Sequence, residues 1–139
     1  MKASLFYRIA AVVLVLFAIA HTLGFRQVDP SWGIGPLLAS MRSIHFNLQG
    51  SSRTYWELYI ALGFSLGTLL LFSAVLAWQL GGLQPETLAG VRLTVWAFPL
   101  CFAVITILSW RFLFVIPVAF SAVTTACLTV AAGLSSKRT

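Results

Sequence analysis

The chain has 139 residues, of which 60% are hydrophobic and only 9% charged, where a soluble globular chain carries roughly 25% charged residues. With a mean hydropathy of +0.96, a domain this small cannot bury its apolar surface in water, which excludes a soluble domain and points to one integral membrane domain. The net charge of +6 comes from cations standing singly between apolar runs, so it forms no basic stripe for nucleic acid and belongs to topology and lipid headgroups.

The first apolar run, Leu5 to Leu23, is broken only by Arg8 and His21. Its roughly 19 residues approach the hydrocarbon thickness of a bilayer at about 1.5 Å per residue. Lys2 and Arg8 ahead of Ile9–Ala20, with Ala18-Ile19-Ala20 near its end, also have the layout of a secretory signal and cleavage site; we read the segment as a retained spanning helix. Residues 24–54 are too polar to span. Gly24, Pro30, Gly33, Gly35, Pro36 and Gly50 divide them into an irregular half and a short helix, with Pro36 in the first turn and Gly50 as the stop. Leu37, Leu38, Met41, Ile44, His45 and Leu48 share one arc at about 100° per residue, so a helix over Pro36–Leu48 is expected in the membrane interface.

A second span covers Tyr55 to Leu80, and Trp56 and Trp78, roughly 33 Å apart along a helix, mark its two interfaces. Gly81-Gly82 and Pro85 make a turn. Two further runs, Val91–Trp110 and Phe112–Leu134, are separated only by Arg111, which places a tight reversal at Ser109-Trp110-Arg111. Pro99 and Pro117 inside these runs are expected to kink them. The expected architecture is an all-α membrane fold: four transmembrane helices (about 5–23, 55–80, 91–110 and 112–134) in a bundle, with a short interfacial helix between the first and second. Lys2, Arg8, Arg92, Lys137 and Arg138 stand at one face against Arg26, Arg42, Arg53 and Arg111 at the other. This distribution favours a cell inner-membrane protein with both termini cytoplasmic.

In either orientation the first span ends, the second begins and the third ends at one face, which gathers His21, His45, Arg53, Tyr55, Trp56, Glu57 and Arg111 there. Glu57 is the one acid inside an apolar run. An unpaired buried carboxylate is costly, so pairing is expected with Arg53, four residues earlier, or with His21 or Arg111 across the bundle. These seven residues form the candidate ligand-binding set, and Glu57 and His21 are the candidate acid/base groups if the site is catalytic. The plainer use of the same residues is an interfacial salt bridge that fixes two helix ends.

Two histidines invite a haem, but only His21 lies on a span, so no haem or metal centre is expected. Cys101 and Cys127 sit in apolar segments without a CxxC pair and read as core-filling residues. Gly63-x-x-x-Gly67 and Ala122-x-x-x-Ala126 let helix backbones approach closely, and we read both as packing within the bundle. No phosphate loop, Ser/His/Asp arrangement or zinc-protease motif is present in the sequence.

His21-Thr22-Leu23-Gly24, together with Gly50-x-x-Arg53-x-Tyr55-Trp56-Glu57, resembles a family of small bacterial integral membrane proteins with four helices. The resemblance covers about residues 1–80. It implies the four-span fold and puts weight on the His21/Arg53/Glu57 face, without implying an activity. The function expected from these residues is binding of a small amphiphile, lipid or quinone-like, or service as an accessory membrane subunit. Membrane lipids, an amphiphilic small molecule, and a second copy or larger membrane complex are the expected partners. The alternative is a membrane-embedded enzyme in which Glu57 or His21 moves a proton on a lipid or isoprenoid while Arg53 or Arg111 holds its anionic headgroup.

Overall fold

The computed structural model describes residues 2–136. Lys137 and Arg138, and the side chain of Lys2, all counted above at one face, lie outside the described residues. Helix α1 (Lys2–Gly24) leads through a 3-10 turn (Pro30–Trp32) to α2 (Gly35–Ser43) and a hairpin of β1 (His45–Leu48) and β2 (Ser51–Thr54). Helices α3 (Tyr55–Leu80), α4 (Pro85–Gly90), α5 (Arg92–Phe112) and α6 (Val115–Ser136) follow. Four of these, α1, α3, α5 and α6, are long and apolar enough to cross a membrane. Helices satisfy their own backbone hydrogen bonds, so this is the form in which such runs can sit in lipid.

Each long helix buries one narrow stripe. In α1 it is Tyr7, Ala10, Ala11, Leu14, Phe17 and Ala18; in α3, Gly67, Leu70, Ala74, Ala77 and Leu80; in α6, Ser121, Thr124, Leu128, Ala131, Ala132 and Ser135. The steps of three and four residues put each set on a single helix face. Most of these residues are small. Large side chains such as Leu62, Phe72, Leu93, Leu100 and Ile107 point outward, the reverse of a soluble core and the pattern of helices whose outer solvent is lipid. The buried hydroxyls of α6 are satisfied within that helix: Ser121 donates to Pro117 O at 2.7 Å, Thr124 to Phe120 O at 2.8 Å and Ser135 to Ala131 O at 2.8 Å.

Helix α1 packs against both α3 and α6, and α6 packs against α5, so the spatial order is α3–α1–α6–α5. The first helix is the central one. Phe17 stacks on Phe120 at 5.2 Å across the α1–α6 seam, and the Thr106 and Thr125 hydroxyls lie 3.2 Å apart between α5 and α6. The α1–α3 seam depends on Gly63 and Gly67. A Cβ on Gly63 would put three ring atoms of Phe25 within 2.7 Å of it, and one on Gly67 would lie 2.9 Å from Thr22 Oγ1. This glycine pair therefore packs inside the bundle, as expected. Ala122 and Ala126 are both exposed on α6.

Three local expectations are corrected. The helix expected over Pro36–Leu48 ends at Ser43, because Ile44 turns extended (φ −80°, ψ 113°) and His45–Leu48 pairs with Ser51–Thr54 in antiparallel register. Gly50 is therefore a hairpin residue and not a helix stop. Gln49 and Gly50 both have positive φ (50° and 87°), the requirement of a two-residue type I′ turn, and the Asn47 side chain accepts from Gly50 N at 2.8 Å. The reversal between the last two spans lies at Leu113-Phe114, after α5 has carried Ser109, Trp110 and Arg111 to its end. Pro117 falls in the first turn of α6, where a missing N–H costs nothing, so it starts a helix and does not kink one. Pro99 is buried inside α5, which continues through it.

Candidate functional site

The end of the bundle that carries the hairpin is organised by Phe25, just past α1. Its ring lies against Gly63, stacks on His21 (centroids 5.2 Å, planes 14° apart) and meets Phe64 edge-on at 5.4 Å. The Phe25 carbonyl accepts from the Tyr59 hydroxyl. His21 Nε2 stands 2.9 Å from the Gly63 carbonyl. A carbonyl can only accept, so Nε2 carries the proton and Nδ1 keeps its lone pair in the neutral ring. From His21 an aromatic row runs through Phe25, Tyr59 (5.8 Å) and Trp56 (5.6 Å) to the Arg42 guanidinium, 4.3 Å above the Trp56 ring. Arg26 leans over Phe64 at 5.3 Å.

Glu57 serves the start of α3. Its Oε2 accepts from the backbone N–H of Thr54 at 2.7 Å, while Thr54 Oγ1 accepts from Glu57 N at 3.2 Å. This reciprocal capping box satisfies two backbone donors that the helix leaves without partners. The expected direct ion pair is not made among the described residues: Arg53 donates to Ser52 O at 3.3 Å, and its charge acts on the Glu57 carboxylate only at longer range. His45 sits opposite Thr54 in the hairpin register, with Nδ1 3.0 Å from Ser43 O. Phe46 packs on Tyr55 at 4.8 Å. Arg111 lies beside Phe112 at 5.3 Å and has no other recorded partner among the described residues.

The seven candidate residues therefore divide. Tyr55 and Trp56 each join an aromatic cluster, His21 locks α1 to α3, Glu57 closes a helix cap, and His45, Arg53 and Arg111 lie outward without meeting one another. Among the described residues no group of three His, Cys, Asp or Glu is placed to hold a metal ion. Phe25, Tyr59, Phe64 and Arg42 were not among the candidates. Thr54-x-x-Glu57 ahead of an apolar run was a legible capping-box pattern, whereas nothing local in the sequence singles out Phe25.

A second feature lies towards the opposite end, on the outer face of the α1–α3 seam. Ala11 and Ala74 are small where their neighbours are large, and their positions form the floor of an open groove of about 400 Å³ walled by Val12, Val15, Leu16, Leu71, Val75 and Trp78. The groove is apolar throughout its length. At its outer end the Arg8 guanidinium lies 3.6 Å from the centre of the Trp78 ring, and the Ser4 hydroxyl donates to Gly81 O, tying α1 to the turn after α3. A volume of this order is within the range of small-molecule sites. No family model, curated protein or solved structure matches this chain.

Proposed function

We propose that this protein holds a small amphiphile, lipid or quinone-like, in the membrane and acts as a binding or accessory subunit rather than as an enzyme. The observation that supports it is the apolar α1–α3 groove, open on the outer face of the bundle, with the Arg8 guanidinium against the Trp78 ring of its wall. An amphiphile needs that combination: a length of apolar surface for its chain and one hydrogen-bonding or charged group for its head. The enzymatic alternative requires Glu57 or His21 to be free to move a proton, and both are engaged with backbone groups of the fold. The proposed setting is a cell inner membrane with both termini cytoplasmic, on the cation count at the end where α1 begins.

The test is purification of the full chain with its native lipids, followed by native mass spectrometry. A stoichiometric bound amphiphile, or a larger complex retaining one, is the expected result. Bare protein that also fails to bind added amphiphiles saturably overturns the proposal.

A further inference from the structure

Arg8 is a charged residue on a spanning helix, half-buried, with five N–H donors in a planar fork. Its one recorded contact is the face of Trp78; among the described residues no carboxylate and no carbonyl accepts from it. A guanidinium at the edge of a membrane with no acceptor is costly, and such residues pair with whatever anion is within reach. The guanidinium overhangs the Gly81-Gly82 turn, where a Cβ on Gly82 would lie 3.9 Å from Nη2. It therefore stands at the level where α3 leaves the bilayer, the depth of lipid headgroups.

The groove starts at this point. From Arg8 to Leu16 along α1 is about 12 Å, and from Leu71 to Trp78 along α3 about 10 Å, against roughly 15 Å for half of a 30 Å hydrocarbon core. The apolar channel itself, Ala11–Leu16 on α1 and Leu71–Trp78 on α3, therefore runs about 8–10 Å inward from headgroup depth and stays within one leaflet. Resting on the amphiphile-binding proposal above, we infer that the ligand is an acidic phospholipid of the leaflet at the N-terminal end of α1. One acyl chain lies over Ala11 and Ala74, and a headgroup oxygen anion accepts from the Arg8 fork while Trp78 holds the guanidinium flat. The charge fits the occupant: the only acid beyond α3 in the sequence is Glu86, on α4, and it makes no recorded contact with Arg8.

The experiment measures retention of phosphatidylglycerol against phosphatidylcholine by the purified full chain, offered in equal amounts, by native mass spectrometry. Wild type should prefer phosphatidylglycerol by about tenfold, the scale of one charge-assisted bidentate contact. Arg8→Gln should bring the preference close to unity, and Arg8→Lys, which keeps the charge but loses the fork, should leave an intermediate value. Arg26→Gln, at the other end of α1, should leave the wild-type preference unchanged. Val75→Trp, which fills the groove from its exposed wall, should remove both lipids. If wild type holds both lipids equally and Val75→Trp releases both, the headgroup assignment is wrong and amphiphile binding stands. If Val75→Trp holds as much lipid as wild type, the groove is not a site and both proposals fall. A preference that survives in both Arg8 variants overturns the role of Arg8.

Discussion

Substitution of Gly63 by alanine tests the notch that joins α1 to α3. The new Cβ would lie 2.3, 2.5 and 2.7 Å from three atoms of the Phe25 ring, so the nearest of them must retreat by about 1.1 Å to reach the 3.4 Å of ordinary contact. That motion forfeits the stacking on His21 at 5.2 Å and the edge contact with Phe64 at 5.4 Å. Aromatic pairs are worth about 0.5–1.5 kcal/mol each, and the better helix propensity of alanine offsets about 1 kcal/mol. The net expectation is a loss of up to about 2 kcal/mol. Gly133→Ala supplies the control, since no atom lies within 4 Å of its Cβ position; it should be neutral or stabilising by up to about 1 kcal/mol. The assay is an equilibrium titration from mild into denaturing detergent, read by tryptophan fluorescence, on both variants and on Gly63→Ala combined with Phe25→Ala. With the ring gone, alanine at position 63 should keep only its propensity gain of about 1 kcal/mol, giving a coupling energy of about 1–3 kcal/mol. Equal cost in both backgrounds, or a Gly63 variant that behaves like Gly133→Ala, would refute the notch.

Thr54→Ala removes one half of the capping box and should cost about 1 kcal/mol, with Thr54→Ser restoring most of it; the same titration reads both. Glu57→Gln keeps an acceptor for the Thr54 N–H and should keep the helix start, and in a double-mutant cycle with Arg53→Gln the two effects should add to within about 0.5 kcal/mol, because the Arg53 charge acts on the carboxylate only at longer range. Coupling between them would show that the pair forms in the membrane. Tyr59→Phe deletes the hydrogen bond to the Phe25 carbonyl and should cost about 0.5–1.5 kcal/mol in the detergent titration; no change would mean that the hydroxyl is solvated.

The four spans could be read directly because an apolar run of 20 residues in a chain of this composition has one stable environment, and a helix satisfies every backbone group there. The helix-packing role of Gly63 and Gly67 was legible for a related reason: glycine at a four-residue spacing has few other uses in a lipid-facing helix. The hairpin was missed because Ile44, His45 and Leu48 continue the apolar arc of α2, so periodicity alone extends the helix. What overrides it is side-chain chemistry further on: Asn47 satisfies Gly50 N, and Gln49 and Gly50 accept positive φ. Glu57 was assigned to an ion pair on the cost of its burial, but it is exposed beside Thr54, whose backbone N–H is closer than any cation. The convergence of Phe25, Tyr59 and Phe64 depends on how α1 meets α3, a tertiary fact that a single sequence does not display.

Placement across the bilayer is the premise on which the groove, the headgroup depth of Arg8 and the exposed hairpin all depend. Single cysteines introduced as His45→Cys in β1 and Gln84→Cys in the turn before α4, in a chain with Cys101 and Cys127 replaced by serine, test it directly in intact cells with a membrane-impermeant thiol reagent. The two positions flank α3, so one should react from outside and the other only after the membrane is opened. Labelling of both positions from the same side would contradict the four-span account.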